Sequence, residues 1–503
     1  LEILQNLVYG LSIALQPDNL LFALIGTVLG TLIGVLPGIG PVGAISILLP
    51  ITFKVPATGA IIMLAGIYYG AMYGGSTTSI LVNIPGEAGS VTTCLDGYKM
   101  ALKGRAGAAL GMAAFGSFIA GTVGIIGLML FASPLSKVAL KFGPHEYFAL
   151  IFLGLTFVTY LSHGSLIKSI MVCCLGLMLS NVGLDPITAS PRVTFGFMQL
   201  FDGINIAPLA MGLFGVGEVL ANLEVSEKVE IVKTKLRDMF PSRLDWFESR
   251  WALVRGTVIG FFLGLLPGGG PVLASFLSYG IEKRCAKEPH RFGEGAIEGI
   301  AGPESANNAA ASSSFVPLLT LGIPPNVVLA ILFGAFLIHG ITPGPFLLKD
   351  HADVFWGVVC SMYVGNIMLL VLNLPLIPMW VQVLKVPPRY LYPLILLFCL
   401  IGAYTINNSV FDIFVMGIFG VLGYLFRKFG YEPAPLVLAF VLGPLLDLNL
   451  RQALIVSEGS FLSFFTRPIS AVTLGIAVLM LMSALFPVVQ KRLQTYKEST
   501  EDQ

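Results

Sequence analysis

Three stretches of this chain, residues 106–133, 354–384 and 468–490, contain no Asp, Glu, Lys or Arg. Each is longer than the roughly 20 apolar residues that carry a helix across a bilayer. Backbone polar groups find no partner in hydrocarbon, so only helices and closed barrels cross it. A barrel would show short alternating strands between turns, and these stretches do not alternate. Composition agrees: 55% of the 503 residues are hydrophobic and 11% are charged, whereas soluble domains carry about 25% charged residues. The expected fold class is an all-α polytopic membrane protein lying in the lipid bilayer, with about 10–12 membrane segments. A net charge of +1 gives nucleic acid no electrostatic footing. The six cysteines form no CxxC or Cys/His cluster, so neither a disulfide framework nor a metal site is expected.

Repetition is the second constraint. Residues 26–44 read GTVLGTLIGVLPGIGPVGA and residues 256–274 read GTVIGFFLGLLPGGGPVLA. At a constant offset of 230, twelve of nineteen positions are identical. A weaker pair follows in the same order: YGGSTTSILVNIPG at 73–86 and ASSSFVPLLTLGIPP at 311–325, each a small hydroxyl-rich run, then apolar residues, then Ile-Pro. The chain therefore divides into a first membrane repeat (1–222), a polar amphipathic linker (223–250), a second repeat (251–490) and a charged tail (491–503). Equivalent loops differ in charge. EKRCAKEPHR after the second PGxGP has four basic residues where TFKVP has one, and residues 87–105 carry Lys99, Lys103 and Arg105 where 339–353 carries only Lys349. Basic loops favour the cytoplasm, so the two repeats are expected to have inverted topology, with the linker cytoplasmic.

Proline cannot continue a helix, and glycine permits backbone angles that other residues avoid. Each PGxGP motif therefore reads helix, break, helix, and 20–36/41–53 and 251–266/271–281 are expected to form broken helices or re-entrant hairpins. A break offers the free N–H groups of a new helix to a carboxylate and unwound carbonyls to Na⁺. The candidate substrate-binding residues are Gly40, Pro41, Gly270 and Pro271 at the breaks, with Ser76, Thr77, Asn307, Asn308, Ser312 and Ser313 in the hydroxyl and amide runs. Gly38, Gly268, Thr78 and Ser314 are the cation candidates. Small residues also line helix interfaces, and that packing role is a strong rival for 309–314. Of the ionisable residues in apolar surroundings, Glu218, Glu304, Asp412 and Glu432 invite a functional reading. No nucleophile–base pair suggests an enzyme.

The PGxGP pair, AGIYYGAMYGGSTTSILVNIPG, DGYKMALKGRAGAALG and FGEGAIEGIAGPESANNAAA together resemble the large membrane subunit of the tripartite tricarboxylate transporters (the TctA type), from about residue 20 to beyond 470. The resemblance implies a bacterial inner-membrane secondary transporter. Its partners would be a small four-helix membrane subunit and a periplasmic substrate-binding protein. It also implies uptake of citrate or a related carboxylate driven by an ion gradient, with Na⁺ as coupling ion and no other cofactor. Glu87, directly after the first Ile-Pro-Gly, would be awkward beside an anionic ligand. The expected function is carboxylate uptake by Na⁺ symport, with alternating access of an elevator kind. The alternative is a passive anion channel, since broken helices also build pores.

Overall fold

Gly26, Gly30 and Gly34 recur every four residues, which strips one helix face of side chains and lets another backbone approach. The computed structural model, which describes residues 2–36, 40–161, 165–224, 239–266, 268, 270–384 and 386–483, shows what approaches. A methyl group on any of these three glycines would collide with the backbone carbonyls of Met63, Ile67 and Ala71 respectively. Gly256, Gly260 and Gly264 meet Gly302, Ala306 and Ala310 in the same way. The sequence repeat is thus a repeat of packing.

These contacts also set chain direction. Rising residue numbers on the helix Pro17–Val35 meet rising numbers on Ala57–Val82, so the two helices run parallel. The intervening helix Gly40–Leu48 and the turn Leu49–Lys54 must bring the chain back to the level at which it started. Pro17–Val35 is therefore an outgoing leg, Gly40–Leu48 a return leg, and Ala57–Val82 a core helix. The second repeat has the same order: outgoing leg Arg243–Leu265, return leg Gly270–Cys285 and core helix Glu298–Ser313. Ser275 on this return leg donates to the Pro303 carbonyl of its core helix at 3.3 Å. At the base of the second hairpin, Arg255 of the outgoing leg grips the buried Glu282 of the return leg with Nε and a terminal guanidinium nitrogen. Ser242 caps the second outgoing leg, with Asp245 completing a reciprocal capping box. The leg therefore begins at Arg243, and the residues 225–238 of the polar linker lie outside the described residues.

Both core helices are interior. Gly59–Val82 and Gly299–Ser313 are buried throughout, although the second is rich in Ser, Asn and Glu. In contrast, Val410, Phe414, Ile418 and Val421 form an exposed apolar stripe on the helix Val410–Lys428, at the spacing of one helical face. Apolar outside and polar inside is the arrangement that hydrocarbon solvent favours. Among the described residues, seven helices are long and apolar enough to cross a membrane, and six shorter apolar helices accompany them. The uncharged stretch 354–384 is not one span: its helix ends at Asn373 and restarts at Ile377, because Pro375 cannot continue the first. The fold is all-α and multi-pass.

The chain forms two compact units. Residues 1–140 and 205–425 make the first, which holds both hairpins and both core helices. Residues 141–204 and 426–503 make the second. Within the second unit, helices Pro144–Leu161 and Leu166–Leu179 pack on Ala434–Val456. A two-residue ribbon pairs Gly183–Leu184 with Pro191–Arg192. Buried Asp185 in its turn binds Arg192 and, at 2.9 Å, Arg451, and accepts the backbone N–H groups of Ile187 and Thr188. The Arg192 hydrogen bond leads in pulling the Asp185 carboxyl down to about 2. A carboxyl depressed on folding stabilises above its unfolded pKa of about 3.9 and loses that contribution as pH falls through its folded value. Asp185→Asn should therefore unfold at a lower temperature than the wild type at pH 6. The gap should close between about pH 4 and pH 2. A gap unchanged down to pH 2 would show that the ion pairs are not its source.

Candidate functional site

In each repeat the helical run stops where it meets Ile-Pro. Asn83 (φ 59°) ends the first core helix, and Gly322 (φ 69°) ends Phe315–Leu321, the short helix that follows the second core helix; a left-handed ending is common before a proline. Ile84-Pro85 and Ile323-Pro324 follow. Then come two side-chain N-caps with nearly the same backbone, Glu87 (φ −147°, ψ 165°) and Asn326 (φ −147°, ψ 169°). Glu87 accepts the N–H of Gly89 at 2.6 Å, and Asn326 accepts that of Leu329 at 3.0 Å. The steps from 83 to 322 and from 87 to 326 are equal, 239 residues each.

The two caps reach across to the other repeat's core helix. Asn307 Nδ2 donates to Glu87 Oε1 at 3.0 Å, and Asn326 Nδ2 donates to the Tyr68 hydroxyl at 3.3 Å. Tyr68 and Asn307 are again 239 residues apart, so exchanging the repeats turns one contact into the other. The return legs do the same: Gly40–Leu48 packs on the helix Val327–Ile338, and Gly270–Cys285 packs on residues 88–90. Each return leg thus meets the segment that follows the other repeat's Ile-Pro turn.

Glu304 lies buried within the first unit, 1% exposed. Its carboxylate accepts from Ser76 at 2.7 Å, from Thr93 and from Ser117 at 3.4 Å. Asn308 Nδ2 donates to Ser117 Oγ at 2.7 Å and to the Glu304 carbonyl at 3.1 Å. Two small cavities, each with room for about one water, flank this network. Ser76 and Thr77 line one, and Asn308, Ser312 and Tyr69 line the other. Tyr69 OH and Asn307 Oδ1 are buried without hydrogen-bond partners among the described residues. Neither Glu87 nor Glu304 takes part in a salt bridge among those residues.

The fold therefore brings Ser76, Thr77, Asn307, Asn308 and Ser312 to one polar interior shared by the two repeats. Thr78 Oγ1 donates to the Val35 carbonyl at 2.8 Å, the last turn before the first break. Gly268 (φ 78°) lies at the second tip, and its N–H donates to the Pro325 carbonyl at 2.7 Å. Gly40 (φ 62°) and Gly270 (φ 49°) begin the return legs, with Pro41 and Pro271 buried beside them. Ser313 and Ser314 instead direct their hydroxyls to the Ala310 carbonyl of their own helix. Gly38 lies outside the described residues.

Reading the residues singly under-weights Glu304 and Glu87. Glu304 stands out in sequence only as an acid between apolar runs, and Glu87 only as an awkward neighbour. The usable signal for Glu87 is its equivalence with Asn326 once the Ile-Pro turns are aligned. Sequence reasoning misses Asp96 altogether. Buried in the segment after the first turn, its Oδ1 accepts the N–H groups of Gly293, Gly295 and Ala296, and its Oδ2 accepts the Tyr279 hydroxyl. This latch ties DGYKMALKGR to FGEGAIEG, two motifs that the sequence presents as separate.

A family model described as "Tripartite tricarboxylate transporter TctA family" matches residues 20–438. The chain belongs to the TctA family. It is 50% identical over 492 residues, 98% of each chain, to an Agrobacterium vitis protein titled "Uncharacterized 52.8 kDa protein in TAR-I ttuC' 3'region". A second Agrobacterium vitis protein, "Uncharacterized protein in TAR-II ttuC' 3'region", is 53% identical over 240 residues, 48% of this chain and 99% of that one. No solved structure matches. The TctA match includes both breaks, both core helices, Glu87 and Glu304. Membership in the TctA family makes the chain a multi-pass membrane component of a tripartite transport system.

Proposed function

We propose that the chain is the large subunit through which a citrate-like tricarboxylate, or a related carboxylate, enters the cell by Na⁺ symport. One observation carries this reading. Two hairpins each begin their return leg with a left-handed glycine followed by proline, Gly40–Pro41 and Gly270–Pro271. The free N–H groups of such a helix start favour a carboxylate, and the unwound carbonyls of such a break suit Na⁺, with Thr78 bonded to the Val35 carbonyl just before the first break. The interchange of contacts between the repeats, together with their opposed loop charges, supports inverted topology and hairpins that enter the membrane from opposite faces. Alternating access then moves the hairpins as an elevator against the rest of the chain. A periplasmic binding protein would deliver substrate at the bacterial inner membrane, and a small four-helix subunit would complete the membrane part.

The test is uptake of radiolabelled citrate and other carboxylates into proteoliposomes holding the full membrane complex, with binding protein supplied outside. An inward Na⁺ gradient should raise uptake over a choline gradient. Gly270→Val should lower it about tenfold, since a left-handed angle costs an L-residue about 1–2 kcal/mol. Flux indifferent to the cation gradient and too fast for alternating access would replace symport by the channel reading.

A further inference from the structure

The turn after the first core helix carries a feature that its counterpart lacks. A Cβ placed on Gly89 would lie 2.9 Å from Asn307 Oδ1, 3.0 Å from Glu87 Oε1 and 3.1 Å from Glu87 Oε2. Three oxygens therefore converge over the bare face of one glycine. Asn307 Nδ2 is already committed to Glu87 Oε1, so the amide orientation is set by the carboxylate and its other atom is oxygen. That oxygen is buried without a partner among the described residues. The Gly89 N–H and Asn307 Nδ2 each serve one oxygen of the Glu87 carboxylate, but they leave its charge unneutralised and Asn307 Oδ1 without a donor.

Among the described residues, no cationic side chain pairs with Glu87. Glu304, one turn before Asn307 on the same core helix, adds a second buried carboxylate. Ser90 and Ser79 next to Glu87 are bonded to each other, and Ser90 also donates to the Glu87 carbonyl. On the return leg that packs against residues 88–90, Glu282 is taken by Arg255. A buried carboxylate without a cationic partner is costly.

We propose that a monovalent hard cation of the size of Na⁺ binds over Gly89, held by the Glu87 carboxylate and Asn307 Oδ1. Hard cations take oxygen ligands of this kind. The pseudo-equivalent position has Asn326 for Glu87 and Tyr68 for Asn307, which removes the charge. The site therefore exists once per chain despite the repeat, in one of the two contacts between the halves. It deepens the symport reading and rests on it for its role, but it is distinct from the carbonyls at the tips.

Binding can be read without any carboxylate. The purified full chain in detergent is unfolded thermally across a NaCl series, with choline chloride holding ionic strength constant. The wild type should show a saturable rise in Tm with Na⁺. Asn307→Ala should raise the half-saturating Na⁺ concentration about tenfold or more. Glu87→Gln and Gly89→Ala, the first removing the charge and the second filling the space with a methyl, should abolish the saturable rise. If Glu87→Gln does not fold, Gly89→Ala decides. A wild-type half-saturating concentration in Gly89→Ala or Glu87→Gln overturns the site, as does a wild type that responds to pH but not to Na⁺. A Na⁺ response that depends on Glu87, in a complex that moves no carboxylate, would support the site and sink the transport reading instead.

Discussion

Gly260→Leu should leave little correctly folded protein. A Cβ at this position would press on the backbone of Ala306, including its Cα at 2.7 Å and its carbonyl carbon at 2.8 Å. Backbone cannot rotate away as a side chain can, so the outgoing leg and the core helix must move apart along their whole contact. Overpacking costs about 1–3 kcal/mol where side chains yield, and backbone opposition places this variant at about 3 kcal/mol or above. Size-exclusion profiles and thermal unfolding would read it, with Gly260→Ala as the milder step. A leucine variant with wild-type Tm would mean that parallel packing of leg and core helix does not hold the second hairpin. The same substitution at Gly30, which meets Ile67 in the first repeat, should behave alike, since the contact is the same one written twice.

Glu304→Gln should separate stability from function. The wild-type carboxylate is buried and draws on three hydroxyls, and no salt bridge offsets its charge among the described residues. Gln keeps the shape and an acceptor oxygen while removing the desolvated charge. The hydroxyls can turn, as Ser76 already does towards the Met72 carbonyl at 3.2 Å. Thermal stability should therefore stay level or rise. Removing a buried intramembrane carboxylate, a functional group by default, should lower cation-driven carboxylate uptake about tenfold or more. Stability gained at the expense of activity is the trade-off expected of a functional group. A variant that unfolds early yet transports normally would make Glu304 a structural hub and nothing more.

Part of this site is legible in the amino-acid sequence. Hydroxyl and amide runs beside the helix breaks point to Ser76, Asn307 and Asn308, because polar groups in an apolar segment need satisfaction somewhere. Ser313 and Ser314, from the same run, bond to their own helix. Spacing alone cannot tell these cases apart. A serine facing a groove and one facing its own carbonyl have the same neighbours in sequence. Glu87 shows the opposite error. As an acid near an expected anion site it reads as an obstacle, and in three dimensions it is half of a cross-repeat contact with Asn307.

The sequence by itself determined the class and the plan. Uncharged stretches longer than a bilayer is thick demand helices, and proline with glycine inside them demands breaks. A repeat at constant offset demands two copies of one unit. These are local or self-referential properties, and they need no partner to be read. The tertiary structure decided the rest: that each outgoing leg runs parallel to its core helix, so the break is a turning point, and that Glu87, Asn307 and Glu304 share one interior. It also decided that a helix as polar as Glu298–Ser313 is buried along its length. Those outcomes depend on which backbone approaches which glycine, and on which distant side chain satisfies a buried polar group. Such long-range pairings leave no periodicity in the chain.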